Sequence, residues 1–409
     1  MEQRGFVFLE ENLLSPAQAV ATYLARVRLA PRAAERIRLD DAYGRILAET
    51  VVADADYPSA PRSAMDGYAI TADHTPGTFS LIGEIAMGHP WGRRLIPGQA
   101  VRIPTGGVVP DGADAVVPVE EVRISGPSVA IEAELEPGTN VNPAAGDMRA
   151  GTRVLEVGAR IGGPQMGVLA TLGITKIAVF PRPRIAVLSS GDELVPPGMQ
   201  PALGQIRDSN RFAIAGALQG MGAQPFHGPT VADVPGALER ALRKALSEAD
   251  GAVLTGGSSV GELDHTPAAI SALGAPGVVV HGLRVKPGKP TVLAAVGAKP
   301  VIGLPGNPTS AVVILEAVVA PLIGALAGAP IALDVIPALL GAGVHTRKGW
   351  TWFVPVRLEP VTEGAWVAQP LPVRSSMVSL TAQADGYIVV PEETEDLDVG
   401  SRVSVHRFI

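Results

Sequence analysis

The 409-residue chain contains no cysteine. That absence removes disulfides, thiolate metal sites and a cysteine nucleophile, and with them the commonest mark of an oxidising compartment, so a cytoplasmic location is expected. An excess of positive charge is also lacking: 33 Lys and Arg stand against 40 Asp and Glu, a formal net charge of −7. A field of that sign repels an anionic polymer, so nucleic acid is not an expected partner. Any small anion must be held by local features such as helix N-termini, amide nests and a few basic side chains. The seven histidines form no HExxH or close pair, which speaks against a zinc site. No Gly-x4-Gly-Lys-Ser/Thr occurs, which argues against a P-loop ATPase. The start, MEQRGFVFLEENLL, carries charges where a signal peptide needs an apolar core, so secretion is not expected.

One apolar run does reach membrane-spanning length. From Ala311 to Leu333 the only charge is Glu316. Pro321 and Pro330 interrupt it and Ala and Gly are frequent, so a buried helix or subunit contact is expected rather than an anchor.

The length implies two to four domains. With 47 glycines and 37 prolines the chain stays below the low-complexity level and should be globular with many turns. SPAQAVATYLARV reads as a helix with Ser15 as N-cap and Pro16 at its first position. From about residue 79 to 135, short β-type runs separated by Gly-Pro turns indicate an inserted β module. From Arg184 the pattern changes to alternating strands and helices: RIAVLSSG is a buried strand, and SNRFAIAGALQGMG is a helix capped by Asp208 or Ser209 and stopped near Gly222. DVPGALERALRKALSEADG is a helix presenting Val234, Ala237, Leu238, Ala241, Leu242, Ala245 and Leu246 on one face, with Asp233 as its cap. GAVLT and KPVIGL each run straight into a glycine loop and a helix. Such alternation predicts a doubly wound, mostly parallel α/β sheet whose ligands gather at the strands' carboxyl ends. After Leu333 short strands return, predicting a C-terminal β-domain.

The predicted rim holds the chemistry. TGGSSVGELDHT, residues 255–266, offers Gly256 and Gly257 for close backbone approach to a phosphate, with hydroxyls from Ser258 and Ser259. Glu262 and Asp264 beside that nest would repel bare phosphate unless a hard divalent cation such as magnesium intervened. Asp264 also reads as a cap for the helix at Thr266. His265 reads as a proton carrier or a neutral bystander. Asp192 and Glu193 follow a strand directly, and Asp208 precedes a helix, each a cap, a turn residue or part of a cation site. Arg284, Lys286 and Lys289 form a cationic arm stiffened by two prolines. GLPGNPTSA makes another nest, with Pro305 and Asn307, whose Thr309 and Ser310 read equally as caps.

SAMDGYA (63–69), PTGGVVPDGADAVVPVE (104–120), LSSGDELVPPG (188–198), GQIRDSNR (204–211), TGGSSVGELDHT, RVKPGKPT (284–291) and GLPGNPTSA are similar, in this order, to the molybdopterin molybdotransferase family of MoeA and the gephyrin E domain. The resemblance spans essentially the whole chain. It implies an elongated homodimer of four-domain subunits: a discontinuous N-terminal linker domain (1–54 and 142–180), an inserted β-domain (55–141), a molybdopterin-binding α/β domain (181–333) and a C-terminal β-barrel-like domain (334–409). It further implies insertion of molybdate into adenylated molybdopterin with magnesium and release of AMP, and the molybdopterin adenylyltransferase as a partner. Carried over by motif, the catalytic residues are Asp66, Glu193, Asp264 and Lys286, with Glu193 and Asp264 at the metal. The substrate-binding set adds Thr105, Asp147, Ser190, Gly191, Asp208, Asp233, Gly256, Gly257, Ser258, Ser259, Arg284, Lys289, Pro305, Asn307 and Ser375, with Asp66 and Thr105 reaching across the dimer.

Two departures stand out. The family's arginine-rich run after Asn140 is replaced by Asn142, Pro143 and Ala144, and a lysine of some members is Gly282, with Arg284 as its expected substitute. Two other readings stay open, a non-catalytic pterin-binding scaffold and a pyrophosphatase or adenylyltransferase sharing the central domain.

Overall fold

The computed structural model describes residues 13–234, 236–256, 266–361, 364–372 and 376–409. Contacts divide the chain into two compact units. One is Met1–Ala48 with Gly158–Gly162 and Ala178–Ile409, and the other is Glu49–Val157 with Gly163–Ile177.

In the first unit, Pro16–Arg26 is a helix opened by a reciprocal capping box. Ser15 Oγ accepts from Gln18 N at 3.4 Å and Gln18 Oε1 accepts from Ser15 N at 3.0 Å. Its Tyr23 is fully buried, and the hydroxyl donates to the Ala294 carbonyl at 3.0 Å, which satisfies the one polar atom that burial would strand.

That helix covers part of a six-stranded sheet in the order Gln224–Val231, Arg184–Ser190, Gly251–Thr255, Lys299–Leu304, Val292–Val296, Pro276–His281. The first four strands are parallel, Val292–Val296 runs against them, and Pro276–His281 at the edge pairs antiparallel to Val292–Val296. Alternation along the strands separates two cores. Ile185, Val187, Val253 and Ile302 pack with the helices Pro16–Arg26, Asn210–Gly220 and Pro308–Ile314. Ala186, Leu188, Ala252 and Val301 face Ala237–Glu248 and Thr266–Leu273. Both faces are covered, as the apolar strand runs predicted. The register Ser189↔Thr255 and Thr255↔Leu304 brings three strand ends to one edge.

Strands Val335–Leu340, Thr351–Pro360, Trp366–Pro370, Gly386–Val390 and Arg402–Arg407 close into a five-stranded barrel around Leu340, Val356, Ala368, Ile388 and Val405. Val285–Lys286 pairs alongside Thr351 and Trp352, tying the cationic arm to this barrel. The second unit is built on a six-stranded sheet, Ala115–Pro118, Gly67–Ile70, Gln99–Ile103, Gly77–Glu84, Ser128–Ile131, Val122–Ser125, with an apolar cluster on each side.

The apolar run becomes a helix over Pro308–Ala327, and 78% of its most apolar window is buried inside the fold. Its middle, Leu315–Val319, winds as a π-helix just before Pro321, whose ring and missing N–H disturb the regular ladder. Glu316 sits in this segment, only 2% exposed, and accepts from the Ile409 backbone N–H at 3.3 and 3.4 Å. Burial pushes its carboxyl up from 4.5 to about 7, although the Ile409 N–H favours the anion. The folded chain therefore binds a proton that the unfolded chain releases, and stability should fall as pH rises from about 4.5 to about 7, then level off. Glu316→Gln should remove that slope and raise stability at pH 8 by on the order of 2–3 kcal/mol. Urea unfolding between pH 5 and 8 checks this, and a slope unchanged in the variant contradicts it.

Candidate functional site

Three loops converge at the carboxyl end of the parallel strands. Gly256 follows Thr255 with φ +87°, and a Cβ there would collide with the Ser190 carbonyl oxygen, so only glycine allows the approach. A Cβ on Gly306 would lie 3.7 Å from Gly256 Cα, which places the third loop against the second. Asn210, the first residue of its helix, links them: its Nδ2 donates to Thr255 Oγ1 at 2.9 Å and to the Gly306 carbonyl at 2.7 Å. The Thr255 hydroxyl in turn donates to the Pro305 carbonyl at 3.3 Å. Asn210 is absent from the sequence-derived set because its partners lie 45 and 96 residues further along the chain, beyond any local pattern.

The carboxylates divide into engaged and available. Ser190 Oγ donates to Asp233 Oδ1 at 2.9 Å, and Asp233 N donates to Asp192 Oδ1 at 3.1 Å. The expected capping role of Asp233 is corrected here: the helix begins at Ala237 behind a left-handed Gly236, and Val234 is exposed rather than on the apolar face. A non-local hydroxyl, invisible to local pattern, takes the carboxylate instead. Glu193 folds its carboxyl back over Gly191, in space that a side chain at 191 would fill. Asp208 is buried, accepts from Arg211 N at 3.4 Å and pairs with Arg211 Nε at 3.3 Å. Arg211 also donates to the Gly228 carbonyl. The charge of Asp208 is thus balanced inside the fold.

The basic arm is held by unlike partners. Lys286 Nζ lies 4.3 Å from the Trp352 ring centroid and Lys289 Nζ 5.5 Å from that of Trp350. Arg284, expected to stand in for a lysine at Gly282, donates from Nε and Nη2 to the Leu13 carbonyl at 3.1 and 2.7 Å and lies 3.7 Å from Glu392. Gly288 in the same arm packs on Ile314 of the apolar helix. At the start of that helix no side chain of Asn307 caps it, and Thr309 Oγ1 instead meets Thr381 Oγ1 at 2.7 Å and the Met377 carbonyl at 3.3 Å. Gly257, Ser258, Ser259, Glu262, Asp264, His265 and Ser375 lie outside the described residues.

In the second unit, strand pairing joins two motifs 39 residues apart. Gly67 pairs with Ile103, which sets Asp66 beside Thr105. The Thr105 N–H and hydroxyl both donate to Asp66 Oδ1, at 2.6 and 2.9 Å. That backbone bond above all, with the hydroxyl, holds the exposed Asp66 carboxyl below its ordinary range. Asp147 is exposed on a turn whose N–H donates to the Tyr57 carbonyl. Asn142, where the arginine run is missing, pairs in register with Arg62, whose guanidinium donates to the Gly106 carbonyl at 2.7 Å. Residues directly opposite on paired strands share one space, so Arg62 brings a cation to the neighbourhood that 142–144 leave uncharged.

A separate cavity of about 720 Å³ opens in the first unit between Pro16–Arg26, the apolar helix and the barrel, lined by Val20, Leu24, Pro321, Phe353 and Val389 among others. Its walls are mostly apolar and it includes none of the sequence-derived site residues. It does not offer the amide and cation surface an oxyanion needs.

Three family models match in succession: the MoeA N-terminal region (domain I and II) over residues 14–173, the probable molybdopterin binding domain over 186–325, and the MoeA C-terminal region (domain IV) over 337–408. Molybdopterin molybdenumtransferase of Synechocystis is 35% identical over 373 residues, 88% of this chain and 92% of that protein. Molybdopterin molybdenumtransferase 2 of Mycobacterium tuberculosis is 32% identical over 381 residues, 90% of this chain and 94% of the relative. A crystal structure of a molybdopterin biosynthesis MoeA protein from Pyrococcus horikoshii superposes with a TM-score of 0.79 at 31% identity, over 97% of this chain and 99% of that one.

If the contact of the Gly256 loop with Ser190 is a packing constraint, two Gly→Ala changes should separate. Gly44, with φ +73° and open space around it, should cost about 1–2 kcal/mol from backbone strain alone. Gly256→Ala adds the collision with Ser190 and should cost about 3 kcal/mol or more. Equal losses in denaturant unfolding would show that the two loops move apart freely.

Proposed function

The chain belongs to the MoeA family, and we propose that it is a molybdopterin molybdenumtransferase, inserting molybdate into adenylated molybdopterin with release of AMP in molybdenum cofactor biosynthesis. The observation that carries this reading is the sheet end, where the Gly256 and Gly306 loops abut beside the Ser190–Asp233 pair.

Both substrates are anions, and the chain's net charge of −7 opposes them. Backbone amides at the glycine loops answer that opposition locally, because an N–H carries positive charge with no counterion. Lys286 and Lys289 are oriented by tryptophan rings, which attract a cation without neutralising it. The same groups can stabilise charge as it develops on departing AMP. Ser190 donates its hydroxyl hydrogen to Asp233 and holds that carboxylate at the strand end. The reading uses direct transfer with no covalent enzyme intermediate.

The donor set suits a magnesium ion held partly by substrate. Asp192 and Asp233 sit on neighbouring turns with Glu193 beside them, and among the described residues no three His, Asp or Glu side chains form an all-protein cage. Magnesium commonly takes one or two carboxylates and completes its shell with water and phosphate oxygens. When bound it would supply neutralisation of the pyrophosphate link. Asp264, outside the described residues, is a further carboxylate of this proposal. The proposal also includes the four-domain division, a homodimer, the molybdopterin adenylyltransferase as partner and a cytoplasmic location.

Purified protein supplied with adenylated molybdopterin, molybdate and Mg²⁺ should release AMP in a molybdate-dependent manner. Asp233→Asn should lower turnover at least tenfold, about 1.4 kcal/mol of barrier, with the fold intact. AMP release without molybdate would indicate a hydrolase, and tight binding without turnover a scaffold; either result contradicts the proposal.

A further inference from the structure

Asn210 is about nine-tenths buried, and both hydrogens of its amide are committed to other loops. Gly306 O can only accept, so the nitrogen must face it, and this fixes the orientation of the amide. Neither bond serves the helix that carries the residue, since Ser209 precedes it without a side-chain cap. The helix has its own anchors, Ile214 and Leu218, which are fully buried against the sheet. The amide's work is therefore at the strand ends. One bond reaches Thr255, the neighbour of Gly256, and the other reaches Gly306 itself. The Thr255 hydroxyl accepts from Asn210 and passes its own proton toward Pro305, so the chain of bonds joins both loops twice. Asn210 Oδ1 has no hydrogen-bond partner although it is buried. A buried acceptor left unpaired costs stability, a cost tolerated here while the two donor bonds are kept.

We propose that Asn210 is a positioning residue that sets the gap between Gly256 and Gly306 and so aims the backbone N–H groups at those two glycines toward the ligand's phosphates. This rests on the molybdenum-transfer reading of the same sheet end. Its action passes through Thr255 and Gly306, with no contact of its own to the substrate. Misaimed amides weaken binding of the whole phosphate-bearing ligand, so the effect belongs in KM and in affinity for AMP more than in kcat.

The test compares wild type, Asn210→Ala and Asn210→Asp by calorimetric binding of AMP, steady-state turnover of adenylated molybdopterin, and thermal unfolding. Asn210→Ala should raise both the AMP Kd and the KM at least tenfold, with a smaller change in kcat. Asn210→Asp adds a readout that a purely structural role would not move. Its ionised carboxylate cannot donate to the Gly306 carbonyl, whereas its protonated form can. Burial at this position raises a carboxyl's pKa, so the ratio of the variant's AMP Kd to that of wild type should be large at pH 8 and shrink as pH falls to about 5.5; the ratio removes the titration of AMP's own phosphate at about pH 6. Should Asn210→Ala fail to fold, the pH dependence of Asn210→Asp decides. Kd and KM within threefold of wild type in both variants, or a loss of affinity in Asn210→Asp that pH does not relieve, overturn the inference alone. Wild type that neither binds AMP nor turns over the pterin overturns the functional reading and this inference with it.

Discussion

The close approach of Gly256 to the Ser190 carbonyl governs this molecule. Parallel pairing delivers the two strand ends side by side, and Gly256, in the left-handed region, lies directly against the end of the neighbouring strand. Backbone N–H groups carry partial positive charge without a flexible stem and without a counterion, and under the proposed function they are what offsets an excess of seven acidic residues toward an anionic ligand. Asn210 and Thr255 extend the same economy to the Gly306 loop, using one amide and one hydroxyl to hold two turns.

The basic side chains sort by what holds them. Arg211 and Arg284 are committed to carbonyls and to Asp208 and Glu392, so their charges serve the fold. Lys286 and Lys289 lie over tryptophan rings, which limit their rotamers yet leave the ammonium charge in place. In the second unit Thr105 fixes the Asp66 carboxylate and Arg62 holds the Gly106 carbonyl.

Much of this architecture is legible in residues alone. Ser15 and Pro16 mark the first helix, and RIAVLSSG, GAVLT and KPVIGL mark the parallel strands and their rim. The antiparallel edge was not legible, because the direction of Val292–Val296 depends on the tight turn before Lys299, and apolar runs carry no sign of direction. Asp233 misled because an Asp before an amphipathic helix is the usual cap signal, while the hydroxyl that claims it is 43 residues away. Asp66 and Thr105 stand in separate motifs, and only strand register explains why they touch. Glu316 is visible as the lone charge in an apolar run, but its partner, the backbone N–H of Ile409, lies 93 residues away and no local pattern points to it.

The claim that phosphate is bound by backbone amides at the sheet end is tested most directly by NMR on protein labelled with ¹⁵N-glycine. Titration with AMP should shift and protect the Gly256 and Gly306 amides while leaving remote glycines such as Gly44 and Gly400 unmoved. Shifts confined to other glycines, with Gly256 and Gly306 silent at saturating AMP, would contradict it.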